Sequence, residues 1–263
     1  MALSLSQRRI ERAEELAVQR PFAAELLEFY VRLVRFQDDL RRQIEIALPK
    51  PATLDTALGE PALSELGARF ASFLPMVEAH GPELSAAASR EMLACGPEFR
   101  RDLLSSSWRE AGSRDAAGLL GQAFLQPYAE LLRARTPVRP LHVAYAVCSY
   151  CNRKPVVGVL RPKSEGAARW LVCSFCSHEW EFRRLVCPAC GEENDRKLPV
   201  YSASDFDYIR VECCESCKTY LKTVDLSKNG LAEPVVDEIA SVPVDLWARD
   251  RGYAKLQTNI LGL

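Results

Sequence analysis

From residue 6 to residue 135 the apolar positions recur at helical spacing. Phe22, Leu26, Phe29, Tyr30, Leu33, Leu40, Ile44 and Leu48 form one stripe of a 3.6-residue repeat, set among Ala, Glu and Arg. The stripe is interrupted at Pro21, at Pro49-Lys50-Pro51, around Gly59-Glu60-Pro61, at Gly81-Pro82, at Gly96-Pro97 and at Gly112-Ser113. Pro can open a helix and Gly can close one, so these breaks predict five or six helices. Pro75 and Pro127 lie inside otherwise helical patterns, where each predicts a kink or an early end.

The pattern changes after Thr136. Thr136-Pro137-Val138-Arg139-Pro140 disfavours helix and reads as a linker. Beyond it, runs of β-branched and aromatic residues at 155–160, 169–172, 181–186, 208–211 and 220–224 have strand length and are bounded by cysteine pairs or turn residues, as in small hairpins. After Pro234, helical spacing returns through Ile239, Val242 and Leu246, interrupted by Pro243, which predicts a short terminal helix packed back on the body.

The 263 residues are 48% hydrophobic, enough to bury a sizeable core, and the formal net charge of −1 is spread over interspersed acids and bases. Such a surface offers no long-range attraction to a phosphate backbone or an anionic membrane. The opening residues meet Arg8, Arg9 and Glu11 before any apolar core of a signal peptide develops. No segment approaches the ~18 apolar residues of a membrane span. The expected location is the cytoplasm.

Chemistry concentrates in the cysteines. Only Cys95 precedes Cys148; the other nine of the ten fall at or before Cys217. Eight of them form four CxxC pairs: Cys148/Cys151, Cys173/Cys176, Cys187/Cys190 and Cys214/Cys217, separated in turn by 21, 10 and 23 residues. This is a twofold repeat. Each pair can aim two thiolates at one cation, and a second pair across a hairpin completes the tetrahedral four-sulfur shell of zinc or rubredoxin-type iron. The spacing pairs the first knuckle with the second and the third with the fourth, with residues 181–186 as a bridging strand. The fold class is therefore α+β: a helical domain over residues 1–137, two rubredoxin-like or zinc-ribbon modules over 141–180 and 181–226, and a C-terminal helical tail over 234–263.

The remaining candidates are weaker. Cys213 alternates to the opposite strand face from Cys214 and reads as a buried hydrophobe, with a free thiol beside the site as the alternative. Cys95 reads as a helical-core residue, and His178 as a bystander to four sufficient sulfurs. Neither His80 nor His142 has a partner pattern. Arg153, Lys154, Arg183, Arg184, Lys218 and Lys222 lie near the knuckles in sequence and would offset the −2 charge of each divalent four-sulfur site. The aromatics Trp170, Phe175, Trp180, Phe182, Tyr208 and Tyr220 read as ribbon core and interface rather than base-stacking platforms. No phosphate loop, dinucleotide fingerprint or nucleophile elbow occurs, and no CxxC is followed by the helix that would lower a thioredoxin-type thiol pKa. The expectation is a non-catalytic binding protein. A zinc-ribbon module for nucleic acid or transcription machinery is the alternative, and an enzyme handling sulfur or electrons through Cys213 or a labile knuckle is a third reading.

The motifs around the knuckles resemble those of the formate dehydrogenase accessory proteins of the FdhE type. They are Cys148-x2-Cys151-x3-Pro155-Val156, Arg169-Trp170-Leu171-x-Cys173-Ser174-x-Cys176-x2-Glu179-Trp180, Arg210-Val211-Glu212-x-Cys214-x2-Cys217-x-Thr219-Tyr220-Leu221-Lys222 and Val236-Asp237-Glu238-Ile239-Ala240. The helical part resembles the family more loosely, through Pro21-Phe22 and Leu26-Leu27-x-Phe29-Tyr30. The sequence departs from the family at Asn152, where a Gly follows the first knuckle, and at Cys213, where a small hydroxyl residue is expected. Asn tolerates the left-handed backbone that Gly would supply. The resemblance implies two metal ions per chain, iron favoured and zinc possible. It also implies a cytoplasmic maturation factor that binds the catalytic subunit of a respiratory formate dehydrogenase.

Overall fold

The computed structural model describes residues 3–47, 60–109, 115–136, 146–164 and 166–263. Among the described residues six α-helices precede the sheet: α1 (Leu5–Gln19), α2 (Ala24–Ala47), α3 (Glu60–His80), α4 (Glu83–Ala94), α5 (Pro97–Arg109) and α6 (Ala116–Arg135). Ser4 opens α1 with a capping box, its hydroxyl accepting from the Gln7 N–H while the Gln7 side chain accepts from the Ser4 N–H. Pro21 starts a short 3-10 turn between α1 and α2, and the breaks at Gly81-Pro82 and Gly96-Pro97 separate α3, α4 and α5. The breaks at Pro49-Lys50-Pro51 and Gly112-Ser113, the linker residues 137–140, and His142 lie outside the described residues. Pro75 and Pro127 end nothing: they stay inside α3 and α6. An interior Pro costs about 3 kcal/mol. The offset is the burial around each: Phe73, Leu74 and Val77 flank Pro75, and Phe124, Leu125 and Ala129 flank Pro127, all fully buried. The rings of Phe70, Phe73 and Phe124 meet at 5.0–5.9 Å in the centre of this helical core.

The sheet that follows has the order β3-β2-β1-β6-β5-β4. Its strands are β1 (Pro155–Pro162), β2 (Ala167–Cys173), β3 (Glu179–Glu181), β4 (Val200–Ser202), β5 (Ile209–Cys213) and β6 (Thr219–Asp225), with β7 (Ala254–Lys255) added beside β6. The cysteine repeat is a structural repeat as well. Each half runs knuckle, strand, strand, knuckle, strand, and folds as an antiparallel three-stranded meander. The halves join where the first strand of one meets the last strand of the other, through the parallel pairing of β1 with β6. At this seam Gly158 faces Thr223, and a Cβ added at Gly158 would lie 2.3 Å from Thr223 Oγ1. The strands approach too closely there for any side chain. The expected bridging strand at 181–186 does not form: β3 ends at Glu181. The Arg169 guanidinium instead donates to the carbonyls of Arg183 and Val186, both at 3.1 Å, and this side chain takes the place of a ladder partner.

The tail forms two helices rather than one, α7 (Pro234–Ile239) and α8 (Val242–Asp250), because Pro243 sits at the start of α8, where its missing N–H is harmless. α7 wedges between α1 and the sheet, and its Val236, Ile239 and Ala240 pack with Leu16, Leu27 and Tyr30.

Candidate metal centres

All four knuckles are built alike. The N–H of the first cysteine donates to the carbonyl five residues on, from Cys148 to Arg153, Cys173 to His178, Cys187 to Glu192 and Cys214 to Thr219, each at 2.9 Å. The residue directly after the second cysteine is left-handed in every case: Asn152 at φ 56°, Ser177 at 52°, Gly191 at 78° and Lys218 at 55°. Asn152 thus supplies the backbone that Gly supplies at the third knuckle. In three knuckles a backbone N–H, of Tyr150, Phe175 or Ala189, donates to the first sulfur at 3.4 Å. This arrangement steadies a thiolate.

The eight sulfurs gather into two groups, Cys148, Cys151, Cys173 and Cys176 in one and Cys187, Cys190, Cys214 and Cys217 in the other, with all sulfurs of a group within 4.8 Å of each other. Within the first, Cys148 Sγ lies 3.5 Å from Cys176 Sγ, and Cys151 Sγ lies 3.3 Å from Cys173 Sγ. Within the second, Cys187 to Cys217 and Cys190 to Cys214 are both 3.7 Å. A tetrahedron of sulfurs with metal bonds of about 2.3 Å has edges of about 3.8 Å, whereas a disulfide needs about 2.05 Å. The donor sets therefore fit one four-coordinate ion each, and S4 sites suit iron and zinc alike.

The two centres differ in surroundings. Cys148, Cys173 and Cys176 are buried within the helical core, and Phe175 packs edge-on to Trp108 at 5.5 Å. Arg153 lies over the Phe175 ring and donates to the Ser107 and Trp108 carbonyls at 2.6 and 3.1 Å, capping the last turn of α5. Ser177 is held between Arg9, which donates to its hydroxyl at 2.8 Å, and Glu130, which accepts from it at 2.5 Å. The second centre projects from the far half of the sheet, with Cys190 exposed and Cys217 half-buried.

Of the other sequence candidates, Cys213 is buried among Val211, Tyr220 and Tyr253, and burial pushes its thiol up to about 12. Cys95 is not a core residue: it caps the end of α4, half-buried. His178 sits between the rings of Tyr150 and Trp180 and belongs to neither sulfur group. Phe175, Phe182, Tyr208 and Tyr220 are buried. The expected role of Lys222 as a charge balance for sulfur is overturned. Its ammonium is fully buried and is paired with Glu238 at 3.0 Å and Asp245 at 2.7 Å. Lys255 joins both carboxylates, and Asn259 donates to Glu238 at 2.8 Å. The available signal was strand alternation, which places Lys222 on the inward face with Tyr220 and Val224. Among the described residues no helix is long and apolar enough to cross a membrane.

Comparison with known proteins follows the same division of the chain. Residues 145–184 match the family model "FdhE, central domain" and residues 185–261 match "FdhE, C-terminal domain". An FdhE homologue of Aquifex aeolicus is 28% identical over 254 residues, covering 92% of this chain and 87% of the relative. One of Yersinia pestis is 26% identical over 282 residues, covering 97% and 87%. The crystal structure of the FdhE protein from Pseudomonas aeruginosa shares the fold, with a TM-score of 0.69 at 23% identity over 98% of this chain and 95% of that one. Two FdhE family domains follow one another over residues 145–261, and the chain is similar to FdhE proteins along most of its length and in fold.

Proposed function

We propose that the protein is a cytoplasmic, non-catalytic accessory factor for formate dehydrogenase, binding the catalytic subunit during its maturation. We further propose that Cys148, Cys151, Cys173 and Cys176 bind one metal ion and that Cys187, Cys190, Cys214 and Cys217 bind another. The observation that carries the reading is the pair of four-sulfur groups within the two FdhE family domains. Metal ties hairpins too small to hold a core of their own, since a structural site contributes roughly 10–16 kcal/mol of apparent binding free energy. A preformed surface of this kind lowers the ordering cost of binding a client.

The test has two arms. Metal-loaded protein should retain the formate dehydrogenase catalytic subunit in a pull-down, and a host lacking the protein should make that subunit but oxidise little formate. Failure to retain it together with unchanged formate oxidation would refute the reading. Anaerobic purification with elemental analysis should find two ions per chain, and the visible spectrum separates coloured oxidised iron from colourless zinc.

A further inference from the structure

Among the described residues five cations are buried: Arg9, Arg12, Arg153, Arg169 and Lys222. Four of them have a carboxylate at hand, Arg9 with Glu130 at 3.1 Å, Arg12 with Asp237 at 2.7 Å, Arg169 with Glu212 at 2.5 Å and Lys222 with Asp245 at 2.7 Å. Arg153 is in no such pair, although it is only 3% exposed. Its Nη2 donates to the Ser107 and Trp108 carbonyls, and its Nη1 is buried without a hydrogen-bond partner. A helix C-terminus carries about half a negative charge, so α5 offsets the guanidinium only in part. Buried charge left uncompensated is costly, and the remainder calls for an anion close by.

The first four-sulfur group supplies it. The Arg153 carbonyl accepts from the Cys148 N–H inside the first knuckle, and its guanidinium lies 4.2 Å from the ring centroid of Phe175, which sits inside the second knuckle. The residue therefore spans both halves of one site. Among the described residues the charges that act on it are the thiolates of Cys151, Cys173 and Cys176. Around the second centre Arg169 is committed to Glu212, and Lys218, next to Cys217, is exposed and paired with Glu215. The six basic residues near the knuckles look alike in sequence, and burial without a carboxylate singles out one of them.

We propose that Arg153 is the fixed counter-charge of the first centre and biases it toward its −2 state: toward divalent over trivalent ions and, with iron bound, toward the ferrous over the ferric form. Four thiolates around ferric iron carry −1 and around ferrous iron −2, so one electron added to the site adds one negative charge beside the guanidinium. A fixed positive charge stabilises the product of that step more than the reactant, which raises the reduction potential. Removing the charge lowers it. The inference deepens the metal-binding reading, on which it rests.

The test is an anaerobic spectroelectrochemical titration of the full chain loaded with iron, read from the visible absorbance of the ferric form. Arg153→Gln should shift half of the iron to lower potential by at least tenfold in the one-electron equilibrium, about 59 mV, and leave the other half, in the second centre, unmoved. Arg153→Lys keeps the charge but loses the planar fork that reaches two carbonyls, and should stay within threefold of wild type. A merely structural role would move both variants alike; that result overturns the inference, as does an Arg153→Gln protein that titrates like wild type. A potential that moves instead with Glu110→Gln, the acid two residues beyond Trp108 in sequence, assigns the balancing charge to that carboxylate and overturns it too. Where Arg153→Gln holds only one ion, uptake becomes the readout: a second ion regained in Arg153→Lys supports the inference, and one still missing overturns it. Wild-type protein that takes up no iron or zinc defeats the metal-binding reading as well, so elemental analysis tells the two failures apart.

Discussion

Lys222 and Glu238 are both completely shielded from solvent and stand 3.0 Å apart, with Asp245 and Lys255 closing a balanced set of four charges. Removing one member strands another in the interior, so Glu238→Gln should cost about 3–5 kcal/mol in chemical denaturation of the metal-loaded protein. Burial alone would raise the Glu238 carboxyl, but Lys222 and Lys255 overcome it and hold the group well below the usual carboxylate range. Its contribution is thus complete above the ordinary value of about 4.3 and is lost as pH falls below it, so the gap between wild type and Glu238→Gln should narrow in acid. Cys213→Ser should keep both ions, because the residue lies outside both sulfur groups, and lose about 1–3 kcal/mol for a hydroxyl buried in an apolar cluster. Elemental analysis and denaturation check the two halves of that statement. Alternation made the burial of Cys213 legible in the sequence. It would have exposed the role of Lys222 equally well, but nearness to Cys217 along the chain was the misleading cue.

At the scale of elements, helices and knuckles follow local rules and were legible. The Pro and Gly breaks within the described residues fall where α1 to α5 part, and the grouping of sulfurs follows from spacing alone. What local rules miss is set by distant partners. Pro75 and Pro127 stay helical because tertiary burial outweighs a missing hydrogen bond, and residues 182–186 leave the sheet because Arg169 reaches their carbonyls. The seam between β1 and β6 was likewise invisible, since parallel pairing leaves no turn signature. Its tightness is testable. Gly158→Ala should cost about 1–3 kcal/mol through the clash with Thr223, and Thr223→Ala in the same chain should recover most of it. Additive losses in that double-mutant cycle would mean the strands do not approach as closely as described.

For the molecule as a whole, the two centres are unequal partners. The first is continuous with the helical core through Phe175, Arg153 and Ser177, whereas the second is tied to the sheet and the tail, through Arg169 on the Val186 carbonyl beside Cys187 and the Ala254 N–H on the Lys218 carbonyl beside Cys217. Cys151→Ser should therefore lose one ion and raise hydrogen exchange in α5 and α6. Cys190→Ser should also lose one ion but leave those helices protected. Equal exchange in the two variants would show that the centres are not distinguished by their setting. The sequence distinguishes two modules but treats their knuckles as equivalent. Their difference comes from which one the helices cover, and that depends on tertiary docking across the linker region.

The parallel seam also bears on how the chain is made. β1 is buried along most of its length in the finished protein, yet the strand that covers one of its edges, β6, is among the last parts of the sheet to be synthesised. At translation rates of about 5–20 residues per second, Gly158 waits roughly 3–13 s for Thr223. Throughout that interval a completed first module presents an apolar, unpaired strand edge, the kind of surface on which nascent chains stick to one another. The hazard of producing this protein thus lies in chains paused or cut short between the two modules, and fragments ending before β6 are the ones that should aggregate.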